Sequence, residues 1–294
     1  MFSDTLIELL LLGEKAVLYG LSLFACGSTI FSLIFSADII LIKNQIFRLI
    51  RRLSLCGILF VALSLATNTI WLGGGEITAL ADLQLVQLVL FSDAGKLSML
   101  LALGFLLFTL SGTTTAISSL SIIGLLLILT SYVLTGHTSL YSPEILLKTL
   151  ILFHLVVASF WAGSFAPLLM LLKKAPASAA PTLEHFGRVA SWLIPLLLIS
   201  GAVMAWFIAG GFQGLFNTAY GWVLLGKIGI VGLLLGVAGL NKLYLVPSIS
   251  RGSPLAIQHL QRSIWCEILL VVVILLATAS ITTLVPPENL GHRM

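Results

Sequence analysis

The sequence predicts an all-α, polytopic membrane protein: an eight-transmembrane-helix bundle with both termini on the outer side. Three observations carry this. The chain is 59% hydrophobic and only 9% charged, whereas a soluble domain is roughly a quarter charged, so it cannot build a water-facing surface. Apolar runs of the length a helix needs to cross hydrocarbon, about 20 residues, recur from end to end, without the short alternating segments of a barrel. The basic residues gather in every second connection. No stretch is long and polar enough to fold in water, so residues 1–294 read as a single membrane domain.

The spans fall near 15–37, 50–71, 93–111, 116–136, 145–172, 187–210, 219–245 and 262–284. KNQIFRLIRR separates the first two, LGGGEITALADLQ the next pair, SGTTTA the third and fourth, and HTSLYSPE the fourth and fifth. The remaining connections are KKAPASAAPTLEHFGR, GGFQGLFNTAYG and VPSISRGSPLAIQHLQR. The opening does not read as a removable signal, because Asp4 and Glu8 precede the first apolar run and no basic region does.

Ten of the fifteen Lys and Arg residues lie in or beside the first, fifth-to-sixth and seventh-to-eighth connections: Lys43, Arg48, Arg51, Arg52, Lys173, Lys174, Arg188, Lys242, Arg251 and Arg262. The positive-inside bias puts those loops in the cytoplasm. Both termini, and the loop with Glu76 and Asp82, then lie outside. The pI near 9.1 is accounted for by these loops. With no dense basic stretch or polar domain, nucleic acid is not an expected partner; the lipid bilayer is.

Cys26, Cys56 and Cys266 all fall in apolar segments with no CxxC pairing, which argues against a disulfide framework or a zinc knuckle. They read as small hydrophobes.

Against this background the imidazoles stand out. His137 closes the fourth span, and His154 lies about 13 Å below the outer start of the fifth, so adjacent antiparallel helices bring both to the outer half. His154 shares a helix face with Ala158, Trp161 and Phe165. An intramembrane imidazole is costly unless partnered and by default marks a functional site; the alternative is a histidine donating to a carbonyl on a neighbouring helix. Met99 and Met204 each lie about 9 Å from the outer ends of the third and sixth spans, at a similar level. Imidazole plus thioether is a soft ligand set that suits copper better than magnesium or calcium, although a membrane methionine also serves as packing.

Other polar residues lie deeper. Lys227 is about 12 Å into the seventh span and Glu267 about 8 Å into the eighth from the opposite side. Lys227 reads as snorkelling or meeting a carbonyl, and Glu267 as pairing with Lys242 or Arg262, or relaying protons. Asn68, between Thr67 and Thr69, lines a polar cavity or bonds to another helix. His185, His259 and His292 read as solvated. Gly232, Gly236 and Gly239 share one side as a close-packing face, and Pro195 predicts a kink in the sixth span.

The series HLVVASFWAGSFAPLL, FGRVASWLIPLLLISGAVMAWF, FNTAYGWVLLGKIGIVGLLLGVAGLNKLYLVP and LQRSIWCEILLVVVILLATASITTLVPP resembles the copper resistance protein D (CopD) family of bacterial inner-membrane proteins. The resemblance covers residues 130–287, the last five spans. It rests on the Gly-His pair ending span four, the His-to-Trp-Ala-Gly run, the Thr-x-Tyr-Gly start with Lys227, the Asn-Lys-x-x-x-Val-Pro exit and the Arg-Ser…Glu…Pro-Pro ending. The first three spans match only in hydrophobicity and order, and the first lacks a histidine.

The resemblance implies copper transport or binding across the bacterial inner membrane, from periplasm to cytoplasm, in copper homeostasis and resistance. It also implies a periplasmic copper-binding partner of the CopC type, which would be a separate polypeptide. His137 and His154 are the histidines of its matching motifs, and a copper ion is the bound species. No GxxxxGK[ST] motif occurs, so transport would be passive or ion-coupled, and no enzymatic activity is expected. Two other readings fit the same residues: a membrane redox protein holding haem b or a quinone, with two histidines as axial ligands, and a scaffold for a periplasmic copper protein.

Overall fold

In the computed structural model, which describes residues 3–111, 119–134, 142–176 and 179–284, all regular structure among those residues is helical. Helix α1 spans Asp4–Ile34, opening on Ser3, whose hydroxyl accepts from the Leu6 N–H at 3.3 Å. A run of turns leads to α2, Lys43–Leu72. KNQIFRLIRR is therefore not a loop: it is the first three turns of α2, in keeping with the good helix propensity of Lys, Arg, Gln and Leu.

The connection after α2 also holds more structure than its composition suggests. Gly74 and Gly75 take φ of 72° and 83°, a left-handed turn that glycine adopts without steric cost. A 3₁₀ turn, Ile77–Ala81, and a short helix α3, Leu83–Phe91, follow. Asp82 caps α3 by accepting from Gln84 N–H at 2.9 Å, and Ser92 caps α4, Asp93–Leu110, by accepting from Gly95 N–H at 3.2 Å. Beyond lie α5 (Ser119–Leu134), α6 (Glu144–Lys174) and α7 (Ala179–Ala209). Helix α7 starts well before residue 187, so most of KKAPASAAPTLEHFGR is helical; Pro181 is tolerated in a first turn, where the N–H it lacks has no intrahelical acceptor.

Helix α8 (Phe212–Asn217) precedes α9 (Ala219–Leu240), which Thr218 caps by accepting from Gly221 N–H at 3.0 Å. A π-helical turn, Asn241–Leu245, joins α9 to α10 (Val246–Ser250), and α11 (Pro254–Thr283) completes the described chain.

Among the described residues, seven helical stretches are long and apolar enough to cross a membrane: Thr5–Ile34, Lys43–Leu72, Asp93–Leu110, Glu144–Lys174, Ala179–Ala209, Ala219–Ser250 and Pro254–Thr283. The expected fourth span, 116–136, falls on the shorter apolar helix α5. Large apolar side chains such as Leu59, Trp192, Leu233 and Leu269 point outward, an arrangement that suits hydrocarbon as solvent.

Helices α1 and α6 form the centre, with α2, α5 and α11 on α1, and α5, α7 and α11 on α6. Their crossing is set by glycine. A Cβ on Gly27 would stand 1.7 Å from the Ser159 carbonyl oxygen, and one on Gly163 would stand 2.4 Å from Gly27 Cα. Ser28 Oγ donates to the Gly163 carbonyl at 3.0 Å across this contact, the small-residue packing that helices use in lipid. The glycines expected to pack closely behave otherwise. Nothing lies within 4 Å of a Cβ on Gly232, Gly236 or Gly239, because this side of α9 faces away from the bundle.

Candidate metal site between α6 and α7

His154 projects from the middle of α6 toward α7, with Nδ1 3.2 Å from Ser200 Oγ. Ser200 Oγ in turn donates to the Leu197 carbonyl at 2.8 Å, one turn back in its own helix. A serine has a single O–H proton. With that proton committed to Leu197, the oxygen accepts from His154 Nδ1–H, and the neutral ring then carries its lone pair on Nε2. That is the tautomer in which a histidine ligates metal through Nε2 while its other nitrogen is held by a partner. The ring has room because its neighbour is Gly201, where a Cβ would come within 3.3 Å of His154 Cε1.

Met204 is buried on α7, four residues beyond Ser200 and therefore on the same helix face. Lys227 is half-buried on α9, which packs against α7. Lys227 makes no hydrogen bond or ion pair with another described residue. Trp161 is buried two turns along α6 from His154. His137 lies outside the described residues.

The other candidates sit apart. Met99 is 47% exposed on α4, which packs on α2 and α5, whereas α6 packs on α1, α7, α11 and α5. Asn68 donates to the Ser64 carbonyl of its own helix at 2.7 Å, not across to another. Its neighbour Thr67 makes the cross-helix bond, donating to Glu14 Oε1 at 2.7 Å. Glu267 is buried on α11 and accepts from Asn241 Nδ2, with no cation paired to it among the described residues. Lys242 instead donates to Ser191. His185 belongs to α7 and stands edge-on to Phe35 at 5.0 Å between centroids, so it is not a solvated loop residue, while His259 is exposed on α11. Cys26 is buried, but Cys56 and Cys266 are exposed on the outside of the bundle.

Among the described residues no three His, Cys, Asp or Glu side chains converge. Of the predicted donors, His154 meets α7 at Ser200, and Met204 lies one turn beyond that serine on the same helix. Ser200, Gly201 and Glu14 carry no reading from sequence, and Asn241 enters there only as the first residue of the Asn-Lys-x-x-x-Val-Pro exit. The Ser-Gly pair inside the apolar run LLLISGAVMAW was the available signal for the first two.

The molecule is a multi-pass helical membrane protein with a histidine held between α6 and α7. The sequence model of the family described as copper resistance protein D matches residues 180–281. It is 30% identical over 119 residues to the copper transport protein CutJ of Bacillus subtilis (strain 168), covering 39% of this chain and 22% of that protein. It is 28% identical over 106 residues to copper resistance protein D of Pseudomonas syringae pv. tomato, covering 33% of this chain and 34% of the relative. The chain thus aligns with only about a fifth to a third of these relatives' lengths. No solved structure matches it. Ser200, Gly201, Met204, Lys227, Asn241 and Glu267 all lie inside the family segment, and His154 lies before it.

Proposed function

We propose that the protein moves or binds copper at the bacterial inner membrane, carrying it from periplasm to cytoplasm in copper homeostasis. In this reading eight helices span the bilayer with both termini outside, α5 being the fourth. Copper arrives from the periplasm, delivered by a CopC-type partner, and meets His154 Nε2 with the Met204 thioether one turn toward the outer end of α7. His137, three residues beyond Leu134 in sequence, is the second imidazole. The observation that carries the reading is the Ser200-held His154 ring, set in a bundle whose C-terminal third matches a copper-resistance family. The ring is part-buried with a described partner only at Nδ1, and an imidazole inside a membrane helix marks a functional site by default.

Nitrogen and sulfur donors suit copper, and Ser200 would orient the ring for it. The role is one of passage, with no enzymatic step. Copper accumulation in cells expressing wild-type protein or His154→Ala at equal level tests it. Loss of accumulation in the variant supports conduction through the site, and accumulation unchanged from wild type overturns it.

A further inference from the structure

A second polar pair lies in the same segment and has no part in the site around His154. Along α11 the strip facing the core runs Ala256, Leu260, Ile264, Glu267, Val271, and all five are buried. Glu267 is thus a carboxyl set into an otherwise apolar stripe, only 4% exposed. Its single described partner is Asn241, 7% exposed, whose Nδ2 donates to Glu267 Oε1. Asn241 Oδ1 is buried with no partner. Asn241 also opens the π-helical turn, where Val246 N–H reaches back five residues to the Asn241 carbonyl; such turns recur at functional positions.

Two deficits therefore coincide. Among the described residues the carboxyl has no cation to neutralise it, and the amide oxygen of its partner Asn241 has nothing to accept from. Buried charges and buried acceptors are both expensive when unpaired. One small, hard cation held between Glu267 and Asn241 Oδ1 removes both deficits at once: a proton on the carboxyl donating to the amide oxygen, or a sodium ion bound by both oxygens.

Among the described residues no cation pairs with Glu267. On the elements packed against α11, Glu14 of α1 accepts from Thr67, Lys15 donates to the Thr282 carbonyl, Tyr19 stands edge-on to Tyr132, Glu8 is exposed and Cys26 lies in the apolar core. On α6, Lys148 pairs with Glu144, His154 meets Ser200, and Lys173 and Lys174 occupy the last turn. Lys227 is 14 residues before Asn241, about 21 Å along the helix, Tyr244 is exposed, and Lys242 donates to Ser191. On α11 itself, His259, Arg262 and Cys266 are exposed.

We propose that Glu267 and Asn241 form a binding site for a small hard cation, proton or sodium, that is exchanged as the protein works. Its place in a transport cycle rests on the copper-passage reading; the site itself does not. Infrared difference spectra of the purified protein, between pH steps and between sodium and choline chloride, decide the site. A protonated-carboxyl band that Glu267→Gln removes and sodium leaves alone identifies the proton. A carboxylate band that sodium shifts, lost in the same variant, identifies sodium. Asn241→Leu is expected to shift either band, which keeps the test open should Glu267→Gln fold poorly. A Glu267 carboxyl signal indifferent to pH, sodium and Asn241 overturns the proposal.

Copper uptake into proteoliposomes under an imposed pH or sodium gradient then tests the exchange. Wild type is expected to be stimulated and Glu267→Gln to lose that stimulation while retaining copper binding. Equal stimulation of both overturns the coupling. Wild type that moves no copper sinks the passage reading instead, and the spectra still judge the site.

Discussion

His154 on α6 and Ser200 on α7 are joined through Nδ1 and Oγ at 3.2 Å, and the serine proton is already given to the Leu197 carbonyl. With the serine proton on Leu197 the ring nitrogen left to act is Nε2, and the contact links α6 to α7.

Ser200→Ala removes the acceptor for Nδ1–H while leaving the ring in place. Loss of a group that orients a metal-binding histidine typically costs about 10–100-fold in affinity. Competition titration of copper against a chelator should show a loss of about tenfold or more for this variant, with Ser200→Thr close to wild type. Affinity unchanged in Ser200→Ala would mean that the serine does not position the ligand.

Lys227 places a charge of the same sign as the metal on α9, a helix that packs against α7. Like charges repel more strongly where water is scarce. Lys227→Met should therefore tighten copper binding severalfold in the same titration, and a weaker-binding variant would show that the lysine helps to build the site.

Protons and copper compete for one lone pair on Nε2, so the sign of the pH dependence is set: binding falls as acidity rises. An imidazole changes charge in the range below neutrality. Equilibrium copper binding followed from about pH 7.5 down to about pH 3 should drop on the acid side of that interval. A flat profile would remove histidine from the ligand set.

The Gly27–Gly163 crossing leaves no room for a methyl group, whereas Gly236 faces open space. Overpacking of this kind costs about 1–3 kcal/mol. Gly163→Ala should lower the thermal unfolding midpoint in detergent, and Gly236→Ala should leave it unchanged or raise it, since alanine is the better helix former. Equal effects of the two would place the close contact elsewhere.

Much of this architecture was legible because hydrophobic length and loop chemistry act locally. The apolar runs, the Pro-marked and Gly-marked breaks and the placing of His154 inside a span all follow from that. Helix ends were misjudged where charge was mistaken for loop: KNQIFRLIRR and most of KKAPASAAPTLEHFGR are helical. Which face of a helix meets a neighbour was harder, because in lipid both faces can be apolar. The glycines of α9 thus looked like a packing face and turn outward, while the contact that matters runs through single glycines in α1 and α6. The partners of polar residues were least legible. Glu267 was expected to meet Lys242 or Arg262 and meets Asn241. Glu14 fell just outside the first assigned span, yet it lies in α1 and receives the Thr67 hydroxyl. Each such pairing depends on helix rotation, which a single sequence does not encode.

The most direct test of the account is copper bound per molecule of purified protein, for wild type, His154→Ala and Met204→Leu. Retained copper in wild type, its loss in His154→Ala and a weakened content in Met204→Leu are predicted. Equal copper in wild type and His154→Ala would contradict a site built on that ring.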